Sequence, residues 1–219
     1  MMSEFLELYD YRRLVAAMCR ERNESLMAGA NPVAVWERFR AARDELFARH
    51  PQSALDEKQR RGFQSLPYFP YNTAMRFVAD IDTAVEQTRH TMLMNARESM
   101  TLVVVGKVHF VIEDQPMTLS IYWLDIYGGG LFLPFRDTTC AKESYSGGRY
   151  LFDTIKGSDF LAVPGSGGQR IMLDFNYAYN PSCAYNSRWI CPLAPAENHL
   201  AVAIRAGERK QALALQGAA

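Results

Sequence analysis

The chain has 219 residues, of which 48% are apolar and 22% are charged, the composition of an ordinary globular protein. Its 24 basic and 24 acidic residues balance, and no run of Lys or Arg exceeds two residues. A nucleic-acid backbone is bound by clustered positive charge, so this balance argues against a nucleic-acid partner. A chain of this length buries about 70% of the surface that its unfolded form exposes, so it needs neither a metal nor a disulfide to fold.

The N-terminal segment MMSEFLELYDYRRL carries early acidic residues and has no apolar core of the kind that a signal peptide needs. The longest apolar stretch is only a few residues, so the sequence predicts no membrane-spanning helix and no membrane partner. We therefore expect a cytoplasmic protein. In that compartment its four cysteines, Cys19, Cys140, Cys183 and Cys191, are expected to be free thiols.

Two helices are predicted at the N-terminus. Residues 4–28 carry apolar side chains at helical spacing, and a second helix should run from Pro32 to Ala48. His50-Pro51 ends it, because the residue before a proline is disfavoured in the helical region. We expect a single domain over residues 1–219. In it, a helical extension (1–50) packs on a β-rich body (60–209), and residues 210–219 form a frayed tail.

Beyond residue 60 the pattern changes from helix to strand. The segment FQSLPYFPYNTAMRF reads as an extended loop with packed rings, and alternation begins at Val85. Residues 102–112 and 117–126 are rich in β-branched and aromatic side chains, and shorter strands are predicted at 131–133, 149–152, 160–163, 171–174 and 200–204. Strands follow strands without intervening helices, which predicts a mainly β (α+β) fold: an antiparallel β barrel or sandwich with two N-terminal helices.

Most of the unusual chemistry lies in two blocks, FLPFRDTTCAKESYSGGRYL and LDFNYAYNPSCAYNSRWICPLAPAEN. Together with ARHPQSAL, FQSLPYFPYN and the closing AGER, they resemble the family called domain of unknown function 1684, over roughly residues 37–209. The chain is similar to the short bacterial form, which lacks an additional N-terminal β-region. The resemblance implies a set of motifs and a fold neighbourhood, and it implies no reaction.

The chain departs from the pattern of that family at one loop. Where the family usually has a glycine between Asp137 and Tyr145, this sequence has Cys140 or Ala141. If the glycine serves a left-handed turn, we expect the loop to have another shape here.

A ligand site is predicted at one end of the barrel, where the two blocks would meet. Its candidate ligand-binding residues are Arg136, Asp137, Tyr145, Arg149, Asp174, Asn176 and Asn180. Arginine forks and amide side chains suit a polar or carboxylate-bearing small molecule, and catalysis there is left open. The alternative is a structural or protein-interaction domain, in which the same side chains pair with one another and hold loops in place.

Cys183 and His50 are the weak catalytic candidates. A thiol nucleophile needs a nearby cation, which Arg188 or His50 could supply, and a histidine can act as a general base. The spacing of Cys183, Cys191 and His199 is unlike that of structural zinc sites, so neither a metal nor a cofactor is predicted. A Cys183–Cys191 disulfide and small buried core thiols remain alternatives.

One structural criterion separates the two interpretations of the polar residues. If Arg136, Arg149, Asp174, Asn180 and Cys183 converge on an open cavity, ligand binding is favoured. If they are sealed and bonded to one another, the structural interpretation is favoured. The sequence predicts neither the ligand, nor the reaction, nor the oligomeric state.

Overall fold

The computed structural model describes residues 3–94 and 99–211. Most of the predicted frayed tail, residues 212–219, lies outside this range. No helix in the described part of the chain has the length and apolarity needed to cross a bilayer.

The two predicted N-terminal helices are confirmed. Helix α1 spans Glu4–Met27 and helix α2 spans Pro32–Arg49, and the two pack against each other. Asn31 begins α2 by accepting hydrogen bonds on Oδ1 from the backbone N–H groups of Val33 and Ala34. A short helix, α3 (Glu57–Arg61), was not predicted. A capping box between Asp56 and Gln59 starts it.

The body is an antiparallel half-barrel, which confirms the predicted fold class. Its strands are β1 (Arg76–Asp82), β2 (Arg89–Leu93), β3 (Ser99–Ile112), β4 (Gln115–Leu124), β5 (Gly130–Phe135), β6 (Arg149–Asp153), β7 (Leu161–Ala162) and β8 (Arg170–Asp174). They are ordered β6-β5-β4-β3-β1-β8-β7, with β2 also paired to β3, and every pairing is antiparallel.

The long strand β3 is the centre of this sheet. It pairs with β4 along most of its length, and its opposite edge is shared between β2 and β1. The register between β3 and β4 shifts between Val104 and Gly106, which indicates a bulge. The bulge lies between residues 99–103 of β3, which pair with β2, and Lys107 and Val108, which pair with β1.

Two sequence predictions about strands need correction. Strand β1 was not predicted, because its residues follow an aromatic and proline-rich loop. Residues 200–204 were predicted as a strand, but they form none. Their alternating apolar side chains Leu200, Val202 and Ile204 are buried, and the backbone bonds to a loop: Leu200 N–H donates to Arg136 O (2.8 Å) and Thr138 N–H to Val202 O (3.1 Å).

The segment formed by residues 198–210, which we call the C-terminal strap, runs between three parts of the body. Phe69 N–H donates to Gly207 O (2.9 Å), Glu208 N–H donates to Ala178 O (2.8 Å), and Lys210 N–H donates to Glu143 O (2.9 Å). The strap thereby connects both sequence blocks with the chain that precedes β1.

Gly207 is required where the strap crosses residues 175–178. Its φ is +77°, and a Cβ atom there would lie 2.5 Å from Ala178 O and 2.7 Å from Phe175 O. A side chain at this position would thus be strained by the backbone conformation and also by contact with two carbonyl oxygens.

We predict that Gly207→Ala lowers the free energy of unfolding by about 2–4 kcal/mol, the sum of backbone strain and overpacking. Gly168→Ala is the matched control, because Gly168 has a φ of +82° and no atom within 4 Å of the added Cβ. It should lose only about 1 kcal/mol. Urea unfolding of both variants measures the difference, and equal losses would contradict the close contact at Gly207.

Candidate functional site

The Arg149–Asp137 ion pair is sealed inside the body. Both side chains have 0% exposure, and Arg149 Nη2 lies 3.2 Å from Asp137 Oδ1. The guanidinium also donates to three backbone carbonyls of the C-terminal strap: those of Ala206 (2.5 Å), Ile204 (2.8 Å) and Glu208 (3.2 Å). Burial lowers the pKa of Arg149, and the Asp137 carboxylate opposes that effect.

The carboxylate of Asp137 accepts its hydrogen bonds from groups of the protein itself. Its Oδ2 accepts hydrogen bonds from Ile204 N–H (2.8 Å) and from the hydroxyl (2.8 Å) and backbone N–H (3.2 Å) of Thr139. By the criterion stated above, this arrangement favours the structural interpretation for Arg149 and Asp137 over an open ligand site. Arg136, in contrast, is exposed on the surface.

A second buried cluster surrounds Glu208, whose side chain has 0% exposure. Its Oε1 lies 2.5 Å from Arg43 Nε and accepts from Tyr68 Oη (3.1 Å). Its Oε2 accepts from Asn180 N–H (2.8 Å) and from Tyr185 Oη. Burial would lower the pKa of Arg43, but the facing carboxylate holds it well above the ordinary value. Helix α2 is thereby joined to the strap.

Sequence reasoning missed Arg43 and Glu208. The available signal was the position of Arg43 on the apolar stripe of α2, since Phe39, Arg43 and Phe47 are spaced four residues apart and all three are buried. A charged residue on such a stripe needs a buried partner. Glu208 is 165 residues away along the chain, and no local pattern identifies it.

Asp174 and Asn176 hold a loop in place. Asp174 Oδ1 accepts from the backbone N–H (3.1 Å) and side-chain amide (2.9 Å) of Asn176, and its Oδ2 lies 2.7 Å from Arg76 Nε. Asn176 also exchanges hydrogen bonds with the backbone of Asn72, at 2.8 and 2.9 Å. Burial raises the pKa of Asp174. Asn176 lies in a 3-10 turn, Phe175–Tyr177, which follows strand β8 directly.

Asn180, another predicted site residue, lines a cavity between the helices and the body, which we call the helix–body cavity. Its volume is about 50 Å³, and its walls are formed by Tyr11, Val15, Met18, Cys19, Phe39, Arg43, Phe47, Tyr150, Lys156, Ser158, Tyr179, Asn180, Pro181 and Ser182. Asn180 is only 2% exposed. Its amide nitrogen donates to Arg209 O (2.9 Å), but its Oδ1 has no hydrogen-bond partner among the described residues.

Tyr179 brings a second unsatisfied group to the same cavity. Its Oη is buried and, within residues 3–94 and 99–211, forms no hydrogen bond of acceptable geometry, although the Ser158 hydroxyl is near. Burial and the neighbouring Asp153 carboxylate raise its pKa well above the ordinary value, so the hydroxyl remains protonated. Buried polar atoms nearly always have partners, so two open ones beside a single cavity indicate a place for water or a ligand.

The catalytic candidates Cys183 and His50 contact different groups. His50 Nδ1 accepts from Gln52 N–H (3.0 Å), and its Nε2 lies 3.5 Å from Asp10 Oδ2. Both ring nitrogens are therefore engaged, which leaves no free lone pair for a general base. His50 lines an apolar groove of about 730 Å³ between α1 and α2. Arg188, the other cation that the sequence offered as a neighbour of the Cys183 thiol, donates a hydrogen bond to Ser53 O (3.0 Å).

Cys183 contacts Tyr145, another predicted site residue, with Sγ 3.6 Å from Tyr145 Oη. The neighbouring Cys191 thiol and burial raise the pKa of Cys183. All four cysteines are free thiols. The described residues contain no group of three His, Cys, Asp or Glu side chains that could hold a metal ion.

The loop that departs from the family pattern keeps a left-handed residue. Ala141 has a φ of +69°, and its N–H donates to Ser144 O (3.0 Å). A left-handed turn is therefore present at this position without glycine, and the loop stores backbone strain there.

We predict that Arg149→Ala lowers the free energy of unfolding by about 3–5 kcal/mol, because it leaves the Asp137 carboxylate buried without its charged partner. Arg136→Ala is the control and should change it by less than about 0.5 kcal/mol, since Arg136 is exposed. Thermal melts of both variants measure this. An unchanged melt for Arg149→Ala would contradict a structural role for the ion pair.

We also predict that Ala141→Gly raises the free energy of unfolding by about 0.5–1 kcal/mol, because relief of the left-handed strain exceeds the added entropy of glycine in the unfolded chain. Ala201→Gly, at an exposed alanine without positive φ, should lower it by a similar amount. Denaturant unfolding measures both changes, and a destabilised Ala141→Gly variant would refute the strain.

Similarity to known proteins agrees with this architecture. The chain is similar to the solution NMR structure of an uncharacterized protein of Haloarcula marismortui, with 31% identity, a TM-score of 0.58, and coverage of 79% of this chain and 91% of that one. None of the curated proteins matches this chain. The family described as protein of unknown function (DUF1684) matches residues 61–209. The chain therefore belongs to the DUF1684 family.

Proposed function

We propose that this protein binds a small hydroxylated carboxylate in the helix–body cavity. The observation that carries this proposal is Asn180 Oδ1, a buried acceptor without a hydrogen-bond donor in the described structure, at the wall of a cavity. An unsatisfied buried polar group costs about 1–3 kcal/mol, so a ligand that satisfies it gains that free energy.

The polar groups of the cavity define the chemistry of the ligand. Asn180 Oδ1 only accepts hydrogen bonds, so the ligand must carry a hydroxyl or N–H donor. Tyr179 Oη is protonated and can donate to the same ligand hydroxyl. Lys156 adds an ammonium group at the cavity wall, and its side chain is 44% exposed with Asp153 Oδ2 3.9 Å away. That ion pair is loose enough to leave the ammonium group accessible to a carboxylate.

The size of the cavity restricts the ligand further. A single water needs roughly 10–15 Å³ of such space, so about 50 Å³ holds a molecule of only a few heavy atoms. Drug-sized ligands occupy about 300–1,000 Å³, far more than is present. The rings of Tyr11, Phe39 and Tyr150 form much of the remaining wall and suit the carbon atoms of the ligand.

This proposal narrows the prediction made from the sequence. The ligand retains its polar, carboxylate-bearing character, but the binding groups are now Asn180, Tyr179 and Lys156. Arg149 and Asp137 pair with each other, and we assign them the role of holding the loops in place. The alternative is a domain whose polar side chains only hold loops in place, and the Arg149–Asp137 pair favours it. Under this alternative the cavity holds water alone.

A panel of three small molecules tests the proposal. Glycolate carries both the hydroxyl and the carboxylate, acetate carries only the carboxylate, and 1,2-ethanediol carries only hydroxyls. In titrations followed by ¹H–¹⁵N NMR, we expect glycolate to bind most tightly and to shift the amide signals of Ser158, Tyr179 and Asn180. Equal and unsaturable responses to all three compounds would refute a built site and support water in the cavity.

We predict that Tyr179→Phe weakens glycolate binding about fivefold, which corresponds to the loss of one hydrogen bond of about 1 kcal/mol. Tyr177→Phe is a matched control, because Tyr177 Oη is also buried without a partner in the described chain but lines a separate cavity of about 20 Å³. Its affinity should equal that of the wild type. Equal effects of the two variants would count against the helix–body cavity as the site.

A further inference from the structure

The wall of the helix–body cavity contains a cation that is buried more deeply than Lys156, the guanidinium of Arg43 on helix α2. The Arg43 side chain is 7% exposed, whereas that of Lys156 is 44% exposed. Its Nε lies 2.5 Å from Glu208 Oε1. In the described part of the chain, Nε is the nitrogen of this guanidinium that forms a hydrogen bond, and the N–H groups of Nη1 and Nη2 form none.

Two aromatic rings hold the Arg43 guanidinium in position. Its Cζ lies 4.9 Å from the centre of the Phe47 ring and 5.0 Å from the centre of the Tyr179 ring, and both rings line the same cavity. These rings and Glu208 together restrict the orientation of the guanidinium plane. Buried N–H donors nearly always have an acceptor, so the two terminal nitrogens call for one inside the cavity.

Glu208 has donors besides Arg43. Its carboxylate accepts hydrogen bonds from the hydroxyls of Tyr68 (3.1 Å) and Tyr185 and from Asn180 N–H (2.8 Å), so the protein compensates its charge without Nη1 and Nη2 of Arg43. The terminal N–H groups of an arginine form a planar fork that matches the two oxygens of a carboxylate. In a buried site this contact is also screened less by solvent than the contact with an exposed ammonium group.

The same Glu208 carboxylate makes Arg43 and Asn180 neighbours. One of its oxygens binds Arg43 Nε and the other accepts from Asn180 N–H. The guanidinium and the residue that carries the unsatisfied Oδ1 are therefore adjacent at the cavity wall. Because the cavity has a volume of only about 50 Å³, few atoms fit between a carboxylate on Arg43 and a hydroxyl on Asn180.

We propose that Arg43 binds the carboxylate of the ligand through Nη1 and Nη2 and that the ligand is a 2-hydroxy acid. Its hydroxyl, on the carbon next to the carboxylate, faces Asn180 Oδ1 and Tyr179 Oη. This inference rests on the proposed function, because it requires a hydroxylated carboxylate in the helix–body cavity. Arg43 then fixes the orientation of the ligand, and the more exposed Lys156 adds a weaker attraction that solvent screens.

The contact is tested first in the wild-type protein, by NMR of the guanidinium N–H signals of ¹³C,¹⁵N-labelled arginine. We expect glycolate to shift the Arg43 signals saturably, its neutral amide glycolamide to leave them in place, and 3-hydroxypropionate to bind more weakly than glycolate. Saturable glycolate binding without a shift at Arg43 would overturn this inference and leave the proposed function intact. The absence of saturable glycolate binding would overturn both, and equal affinities for glycolate and 3-hydroxypropionate would overturn the 2-hydroxy class.

The variant Arg43→Lys keeps a cation beside Glu208 and removes the fork. It should weaken glycolate binding about tenfold, the loss of one hydrogen bond between charged groups, and leave the response to 1,2-ethanediol unchanged. Arg40→Lys is the matched control, because Arg40 is also on α2 and stacked on the rings of Trp36 and Tyr68, at 4.6 and 4.7 Å, but does not line the cavity. Equal glycolate affinities of Arg43→Lys and the wild type, or equal losses in both variants, would contradict the role of Arg43. If Arg43→Lys does not fold, the wild-type guanidinium signals decide the question.

Discussion

The buried Arg149 guanidinium is the contact on which the arrangement of both loop blocks depends. Residues 204–208 of the C-terminal strap form no strand, so their carbonyl oxygens lack the ladder of hydrogen bonds that a neighbouring strand would provide. Arg149 donates to three of them, at 2.5, 2.8 and 3.2 Å. A buried carbonyl without a donor destabilises the fold, and among side chains only arginine has five N–H donors in a fixed planar fork.

Asp137 and Glu208 complete this arrangement from opposite sides. Asp137 balances the charge of Arg149 and binds Ile204 N–H, so the strap is held through its N–H and its C=O groups. Glu208 offers its backbone carbonyl to Arg149 and its carboxylate to Arg43 on α2. The side chains of Arg43, Arg149 and Asp137 thus all bind residues 204–208 of the strap, to which Glu208 belongs. Buried pairs contribute little net stability, but removing either partner is strongly destabilising, so their main effect here is to fix one position for each loop.

The sequence was sufficient for the regular elements and insufficient for the contacts between irregular ones. Helices α1 and α2 follow from helical periodicity and from proline at the start of α2, and the strands follow from alternation. Apolar and other residues alternate over 200–204 as in a strand, yet this segment bonds to the loop at Arg136 and Thr138. Alternation shows that one side of a segment is buried, but it does not show which part of the chain the segment pairs with. Arg149 and Asp137 have the residue types of an anion site, and only the structure shows that they pair with each other.

The polar residues of the two blocks consequently fall into two groups with different consequences. Asp137, Arg149, Asp174 and Asn176 bind other groups of the protein, and they set the positions of the loops. Asn180 and Tyr179 retain an unsatisfied acceptor and hydroxyl among the described residues. The second group lies on the segment that the first group holds, with Asn180 N–H bound to Glu208 Oε2 at 2.8 Å. A site built on such a support is pre-organised, because the ordering of its loop is achieved on folding and need not be achieved again on binding.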